Sequence, residues 1–465
     1  MTIQFLGAAQ TVTGSKHLLT TARGTKILLD CGLFQGIHTD ELNQHFGFEA
    51  AEIDFVLLSH AHIDHAGLLP RLVRQGYTGP IYCTPATADL CRIMLLDSAH
   101  IQEKDLRRIN ERRQRQSKPA LETLYEAADV ERTLALLHPV PYRQPRALNG
   151  GEVTFLFTDT AHILGSAAIS LTVREHHDEK RLFFSGDIGR PHDKILRAPE
   201  AFPQADYLIC ESTYGDKRHE PEPDMKAHLL RIVRQTCVER RGKLIIPAFA
   251  VDRTQELVYA LDQLASDGLL PRIDVFIDSP LSVKATALMK RHDECFNPDL
   301  LAYIEKDGDA FAFPNLHYVS EVAESKALND RKDPCVIISA SGMAEAGRIK
   351  HHIQNNIEDP RNTILLVGYC SPTSLGGMLK NGAKEVRIFG GTYAVKATVA
   401  VMDSFSAHAD YEEMLHYLAC QNPAEVKQVF LVHGELDRQT VWKSKLEEAG
   451  FRTVRIPGPH ETVTL

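Results

Sequence analysis

The segment Ser59-His60-Ala61-His62-Ile63-Asp64-His65, directly after the apolar run 55–58, limits what this chain can fold into more than any other stretch. Three imidazoles and a carboxylate within six positions are no core-packing device, because burying that many polar groups is costly unless something binds them. Neutral imidazole and carboxylate are a standard ligand set for zinc and similar ions. A catalytic zinc takes about three protein ligands and keeps a position open, so this many donors implies two metals. The run before them reads as a buried strand ending in polar residues. Such an end, where a rigid sheet hands the chain to a loop, is where catalytic groups are expected.

Further donors are expected at other strand ends. Three qualify: His162 in Thr160-Ala-His-Ile-Leu-Gly-Ser166, Asp187 in Phe184-Ser-Gly-Asp187, and His433 in Phe430-Leu-Val-His-Gly-Glu435. Singly each is weak, since a His after a strand is more often a satisfied polar residue and Asp before a turn is commonplace. Read with the first segment they form a set. Asp30, which ends the run before Cys31-Gly32, is placed to orient a ligand from behind, with a turn role as the alternative.

At 465 residues the chain exceeds one ordinary core, which predicts roughly two to three domains. Short β-rich runs bounded by Gly or Asp recur through the first 210 residues. From about residue 224 strands at 243–247, 275–277, 335–339 and 364–367 alternate with helical segments, a separate α/β block. The tail, with a strand at 429–432, a helix near 441–448 and a last strand around 452–456, returns to the first style. Region 85–137 is expected to be mostly helical, and its stretch 107–115 carries five arginines, either a solvated helix face or a contact for nucleic acid.

No apolar run approaches the roughly 20 residues needed to cross a bilayer, and the amino terminus reads as a first strand instead of an export leader. The nine scattered cysteines contain no C-x-x-C pair, which suits a reducing cytoplasm and disfavours a four-cysteine zinc site. A net charge of −9 argues against a protein that coats nucleic acid indiscriminately, while leaving room for a basic or metal-bearing cleft.

The pattern His-x-His-x-Asp-His after a strand, with a later His, Asp and His in this order, resembles the metallo-β-lactamase superfamily. The resemblance implies an αββα sandwich holding two zinc ions (Zn2+). His60, His62 and His162 would hold one, Asp64, His65 and His433 the other, and Asp187 would bridge them. Three further segments, Glu211-Ser-Thr-Tyr-Gly215, Phe405-Ser-Ala-His408-Ala-Asp410 and Val432-His433-Gly-Glu435, are similar to the motifs that mark the β-CASP nucleases of that superfamily. By this resemblance residues 1–215 and 402–465 form a discontinuous metallo-β-lactamase domain, with an α/β β-CASP cap inserted at 216–401. Cap segments 246–256, 278–281 and 339–348 match as well, implying RNA or phosphate contacts from Arg253, Thr254, Ser279, Ser341, Gly342 and Arg348. Two departures stand out: Gly368-Tyr-Cys-Ser-Pro-Thr-Ser-Leu-Gly-Gly377 lacks an arginine that relatives carry, and Asp252 stands where glycine is usual.

The function so implied is a zinc-dependent ribonuclease acting on single-stranded RNA, with a hydroxide held between the metals as nucleophile. Asp64, Glu211 and His408 are the expected catalytic residues, His408 as the acid for the leaving 3′-oxygen and Glu211 as its partner. A hydrolase of small esters, thioesters or phosphodiesters explains the metal donors equally well but leaves Glu211, His408 and the cap without purpose. A non-catalytic RNA-binding scaffold would not need every ligand kept. Endonuclease or 5′-to-3′ exonuclease action, and monomer or homodimer, are left open by the sequence.

Overall fold

Strands here follow from period-two patterning. Ala167–Glu175 buries alternate side chains along much of its length, and pairs in antiparallel register with Val153–Asp159 on one side and Asp178–Phe184 on the other. The computed structural model describes residues 1–36, 39–175, 178–219, 224–368, 370–402 and 406–465, so Tyr369 and Phe405 of the segments above lie outside the described residues. Two compact units result: Met1–Arg218 with His408–Leu465, and His219–Ala407.

The first unit contains two seven-stranded sheets. One runs in the order Thr462–Thr464, Thr2–Phe5, His17–Thr20, Lys26–Leu29, Phe55–Leu57, Ile81–Cys83, Leu137–Pro139. The other runs Val454–Arg455, Gln428–Leu431, Tyr207–Cys210, Asp178–Phe184, Ala167–Glu175, Val153–Asp159, Arg146–Leu148. Ile3, Phe5, Leu29 and Leu57 from one and Phe157, Ile169, Phe184 and Phe430 from the other share a single apolar cluster, so the sheets pack face to face. On its far side the second sheet buries Phe183, Leu208 and Leu431 against Met414, Leu418, Trp442 and Leu446 of the helices Tyr411–Leu418 and Leu436–Glu448. The region expected to be helical resolves into Pro85–Arg115 and Ala127–Leu134.

The second unit is built on a six-stranded, all-parallel sheet in the order Leu316–Tyr318, Asp274–Ile277, Cys335–Ser339, Leu244–Pro247, Thr363–Val367, Thr398–Met402. Its central strands are buried at every position, as a parallel sheet covered on both faces requires. The edge strand Thr398–Met402 and the hairpin of Glu385–Ile388 with Gly391–Ala394 escape the sequence reading. So does Thr462–Thr464, whose partner Thr2–Phe5 lies at the other end of the chain. Among the described residues no helix is long and apolar enough to cross a membrane. All nine cysteines are free thiols.

Candidate active site

In the second sheet of the first unit the strands ending at Asp159, Phe184, Cys210 and Leu431 all point the same way, so their carboxyl ends share one edge. The turns that follow carry His162, Asp187, Glu211 and His433. Facing them, Phe55–Leu57 leads into His60 and His62, and the short helix Ile63–Ala66 carries Asp64 and His65. Ala161 and His433 take positive φ values of 56° and 53°, conformations uncommon for residues with a side chain that here turn the chain sharply into the site. Two glycines permit the close packing. A Cβ on Gly32 would sit 1.6 Å from the Asp64 carbonyl oxygen, and one on Gly189 would sit 1.9 Å from that of Ala161.

Two donor sets converge. His62 Nδ1 lies 3.2 Å from both His60 Nε2 and His162 Nε2, and Asp187 Oδ2 is 3.6 Å from the former and 3.4 Å from the latter. His65 Nε2 lies 3.2 Å from His433 Nε2, which is 3.5 Å from Asp64 Oδ2. The second oxygen of Asp187, Oδ1, is 3.3 Å from His65 Nε2 and 3.5 Å from His433 Nδ1. Asp187 thus offers one oxygen to each set. Tetrahedral ligands bonded at 2.0–2.1 Å stand about 3.3 Å apart, so these separations are those of donors around a cation.

The electrostatics agree. Burial pushes His60 and His162 well below the ordinary imidazole value and His62 down to about 4, so these rings are neutral with lone pairs available. Burial also opposes charge on Asp187, yet His433 and His65 hold its carboxyl well below the usual range. Asp187 Oδ1, although buried, makes no hydrogen bond. Three neutral imidazole nitrogens facing one another around a buried carboxylate fit metal ligation.

Partners behind the donors fix their orientation. Asp30 accepts from Ser59 N at 2.7 Å and Ser59 Oγ at 2.8 Å, and its Oδ2 sits 2.6 Å from His65 Nδ1, which leaves His65 Nε2 to face the centre. Ser59 Oγ is 3.0 Å from His60 Nδ1, Thr213 Oγ1 is 3.1 Å from His433 Nδ1, and Ser166 Oγ accepts the His162 N–H at 2.9 Å. The sequence reading did not assign these three hydroxyls, although Ser59 stands beside His60 and Thr213 two positions after Glu211, both of which it singled out.

His408 forms an isolated bridge with Gly189, and its Nδ1 lies 3.2 Å from Glu211 Oε1 and its Nε2 4.0 Å from Asp187 Oδ2. Glu211 is itself fixed by the N–H groups of Ile188 at 2.6 Å and Thr213 at 3.2 Å. Burial disfavours charge on His408, but Glu211, followed by Asp187 and Asp64, raises it to about 9, so the ring is protonated at neutral pH. At 20% side-chain exposure it is the most open of the site histidines paired with Asp187.

The remaining expected residues lie at the carboxyl edge of the parallel sheet in the second unit. There Arg253 is buried with its guanidinium on Asp252, 3.0 Å away, and Glu256. Thr254 donates to the Phe249 carbonyl at 2.7 Å, and Ser279 caps the helix Pro280–Met289. Ser341 Oγ accepts from Ala346 N at 3.3 Å, and a Cβ on Gly342 would strike the Phe249 ring. Arg348 donates to Asp278 Oδ1 at 2.6 Å and to the Ser320 carbonyl at 2.5 Å. Both arginines are therefore held by carboxylates within this unit. Asp252 has φ 75°, which accounts for the glycine usual there. The altered segment packs on the turn after Ser339: Leu375 N donates to Glu345 at 2.6 Å and Gly376 N to the Met343 carbonyl at 3.0 Å.

Two stacked sheets with helices outside, and a His- and Asp-lined centre at their strand ends, define a hydrolase of the metallo-β-lactamase fold. A metallo-β-lactamase superfamily domain model matches residues 18–206, a β-CASP domain model 254–379, and a model described as the Zn-dependent metallo-hydrolase RNA specificity domain 392–457. The chain is 35% identical to ribonuclease TTHA0252 of Thermus thermophilus over 94% of either chain. It is 32% identical to transcription termination factor FttA of Methanosarcina mazei, covering 92% of this chain and 66% of that protein. With cleavage and polyadenylation specificity factor 73 of Drosophila melanogaster the identity is 29%, over 96% of this chain and 61% of that one. The chain belongs to the β-CASP ribonuclease family of the metallo-β-lactamase superfamily.

Proposed function

We propose that this chain hydrolyses phosphodiester bonds of single-stranded RNA in the cytoplasm, with two zinc ions, one held by His60, His62 and His162, the other by Asp64, His65 and His433, and Asp187 between them. The observation that carries the reading is the pair of donor sets sharing the two oxygens of Asp187, with a protonated His408 beside them. When bound, two divalent cations supply Lewis acidity and an activated water.

The chain's own groups do the rest. His408 gives its Nε2 proton to the departing 3′-oxygen, leaving a 5′-phosphate and a 3′-hydroxyl. Glu211 keeps that proton on Nε2 by engaging Nδ1, and two backbone N–H groups keep Glu211 in place. Asp30 and Thr213 hold His65 and His433 in the tautomers that ligation needs. Residues 216–401 serve as the β-CASP cap, with Arg253, Thr254, Ser279, Ser341, Gly342 and Arg348 at its phosphate contacts. For the two arginines that role requires exchange of a carboxylate for a phosphate.

The test is incubation of the metal-loaded protein with 5′-labelled single-stranded RNA, with and without chelator, beside a double Asp64→Ala, His65→Ala variant. Cleavage that needs both metal and ligands is expected, with the label in mononucleotide for an exonuclease or in fragments for an endonuclease. Intact RNA despite two bound metals, with turnover of small esters, would replace this reading by a small-substrate hydrolase.

A further inference from the structure

The helix Pro85–Arg115 is 31 residues long, and its last buried side chain is Ala99. The final four turns therefore leave the body of the first unit. On one side this arm is covered by the returning chain: Asn110 exchanges hydrogen bonds with Leu121 N and O at 2.8 and 2.9 Å, and Arg113 Nε donates to the Pro119 carbonyl at 2.7 Å. At about 100° per residue, Lys104, Arg108, Arg112 and Arg115 fall on the opposite side, within one stripe roughly 80° wide and about 17 Å long. All four are exposed, and among the described residues none has an ion pair, whereas the neighbouring Arg107 is engaged by Glu103 at 2.9 Å. Asp105 and Glu111 flank the stripe without closing on it.

Like charges at i, i+4 oppose helix formation. The helix dipole offsets this only in the last turn, so it accounts for Arg112 and Arg115 but not for Lys104 and Arg108. In a chain of net charge −9 a run of unpaired cations is also not background. Three of the four are guanidiniums, whose planar fork matches a phosphate better than an ammonium does. The root of the helix ties it to the active site: Thr84 and Thr87 both donate to the Gly165 carbonyl, at 2.6 and 2.8 Å, in the turn that bears His162.

We propose that the exposed face formed by Lys104, Arg108, Arg112 and Arg115 is a tether for the RNA backbone, engaging substrate from about 26 Å along the helix away from the catalytic turn. The inference rests on RNA being the substrate. The occupant is a phosphodiester strand because the surface offers charge and forked donors in a line, which suits backbone phosphates and not base edges.

The experiment compares wild type with an Arg108→Ala, Arg112→Ala, Arg115→Ala variant, both metal-loaded, binding a hydrolysis-resistant 30-nucleotide phosphorothioate RNA across a salt series. Each single-strand phosphate contact contributes about 0.7 to the slope of log affinity against log salt, so three should lower it by about 2. Between 50 and 200 mM salt the wild type should then lose about 15–20-fold more affinity than the variant. Hydrolysis of bis(p-nitrophenyl) phosphate should be equal in both, and a triple Arg→Lys variant should restore most of the slope. Coincident slopes in proteins that still cut RNA would overturn the tether alone. Equal competition by polyglutamate of matched charge would overturn RNA as the occupant. A wild type that turns over the small diester but neither binds nor cuts RNA would instead bring down the functional reading, and the tether with it.

Discussion

Asp30 shows how much of this centre is decided one bond away from the donors. Its Oδ2 takes the Nδ1 side of His65, and Ser59 supplies it with two further hydrogen bonds. In Asp30→Asn the shape is kept, but an amide N–H turned toward Nδ1 moves the ring proton to Nε2, the atom that faces His433 and Asp187. We expect metal affinity at the Asp64, His65, His433 set to fall about 10–100-fold while the first set is unaffected. Titration against a competing chelator measures this, and an unchanged second affinity would refute the role. His408→Ala should behave oppositely, keeping both metals and losing about 10²–10⁴ in turnover, with the leaving-group dependence of the rate steepened. His17 presents a different case. It is fully buried, neither ring nitrogen has a hydrogen-bond partner, and it packs edge-on against Phe5 and Phe184. Burial pushes it down to about 3. Leaving two buried polar atoms unpaired costs about 1–3 kcal/mol each, so His17→Leu should raise the denaturation midpoint if packing is preserved.

At the scale of elements, strand ends set the chemistry, and Asp159 is where strand and site meet. It closes Val153–Asp159, and its Oδ1 accepts the Ala161 N–H at 2.8 Å, bending the chain toward His162. Burial raises its carboxyl from 3.8 to about 7. Between those values the folded state holds a proton that the unfolded chain releases, so stability declines as pH rises from about 4 to about 7 and is level above. Asp159→Asn keeps the acceptor and removes the titration, and urea midpoints at pH 5 and pH 8 should differ less than in wild type. An equal difference would mean the carboxyl is not held protonated. The same strand ends explain what was legible in the sequence. The donors lie in short local segments whose chemistry shows in any register, and the polar residue closing each apolar run marks the edge they share. What could not be read depends on distant pairing. Thr462–Thr464 finds Thr2–Phe5 across the whole chain, and among the described residues the edge strand Thr398–Met402 has only Thr363–Val367 beside it. Nor does a phosphate-like segment reveal that Asp278, 70 residues before Arg348, will take its guanidinium.

Over the whole molecule, every donor of the two candidate sets around Asp187 comes from Met1–Arg218 and His408–Leu465, so an ion held there would join the two ends of the chain in one folded unit. His433 and the strand Gln428–Leu431 that presents it belong to the tail, and that strand pairs with Tyr207–Cys210. Ions that bind only the folded state stabilise it by RT ln(1 + [L]/Kd), about 4 kcal/mol at a thousandfold excess over Kd. For a unit of this size that is a shift on the order of 10 °C. Chelation should therefore lower one thermal transition by roughly this amount and leave any transition belonging to His219–Ala407 where it was, since the ligand sets at Asp187 draw nothing from those residues. In both forms the histidines held neutral by burial must charge on unfolding below about pH 6.5, so their stabilisation, complete above the ordinary imidazole value, disappears as pH falls without enlarging the effect of chelation. Scanning calorimetry of metal-loaded and stripped protein at pH 7.5 and pH 5.5 decides it. A stripped protein with unchanged transitions at both values would mean that the convergent donors bind no ion strongly enough to matter.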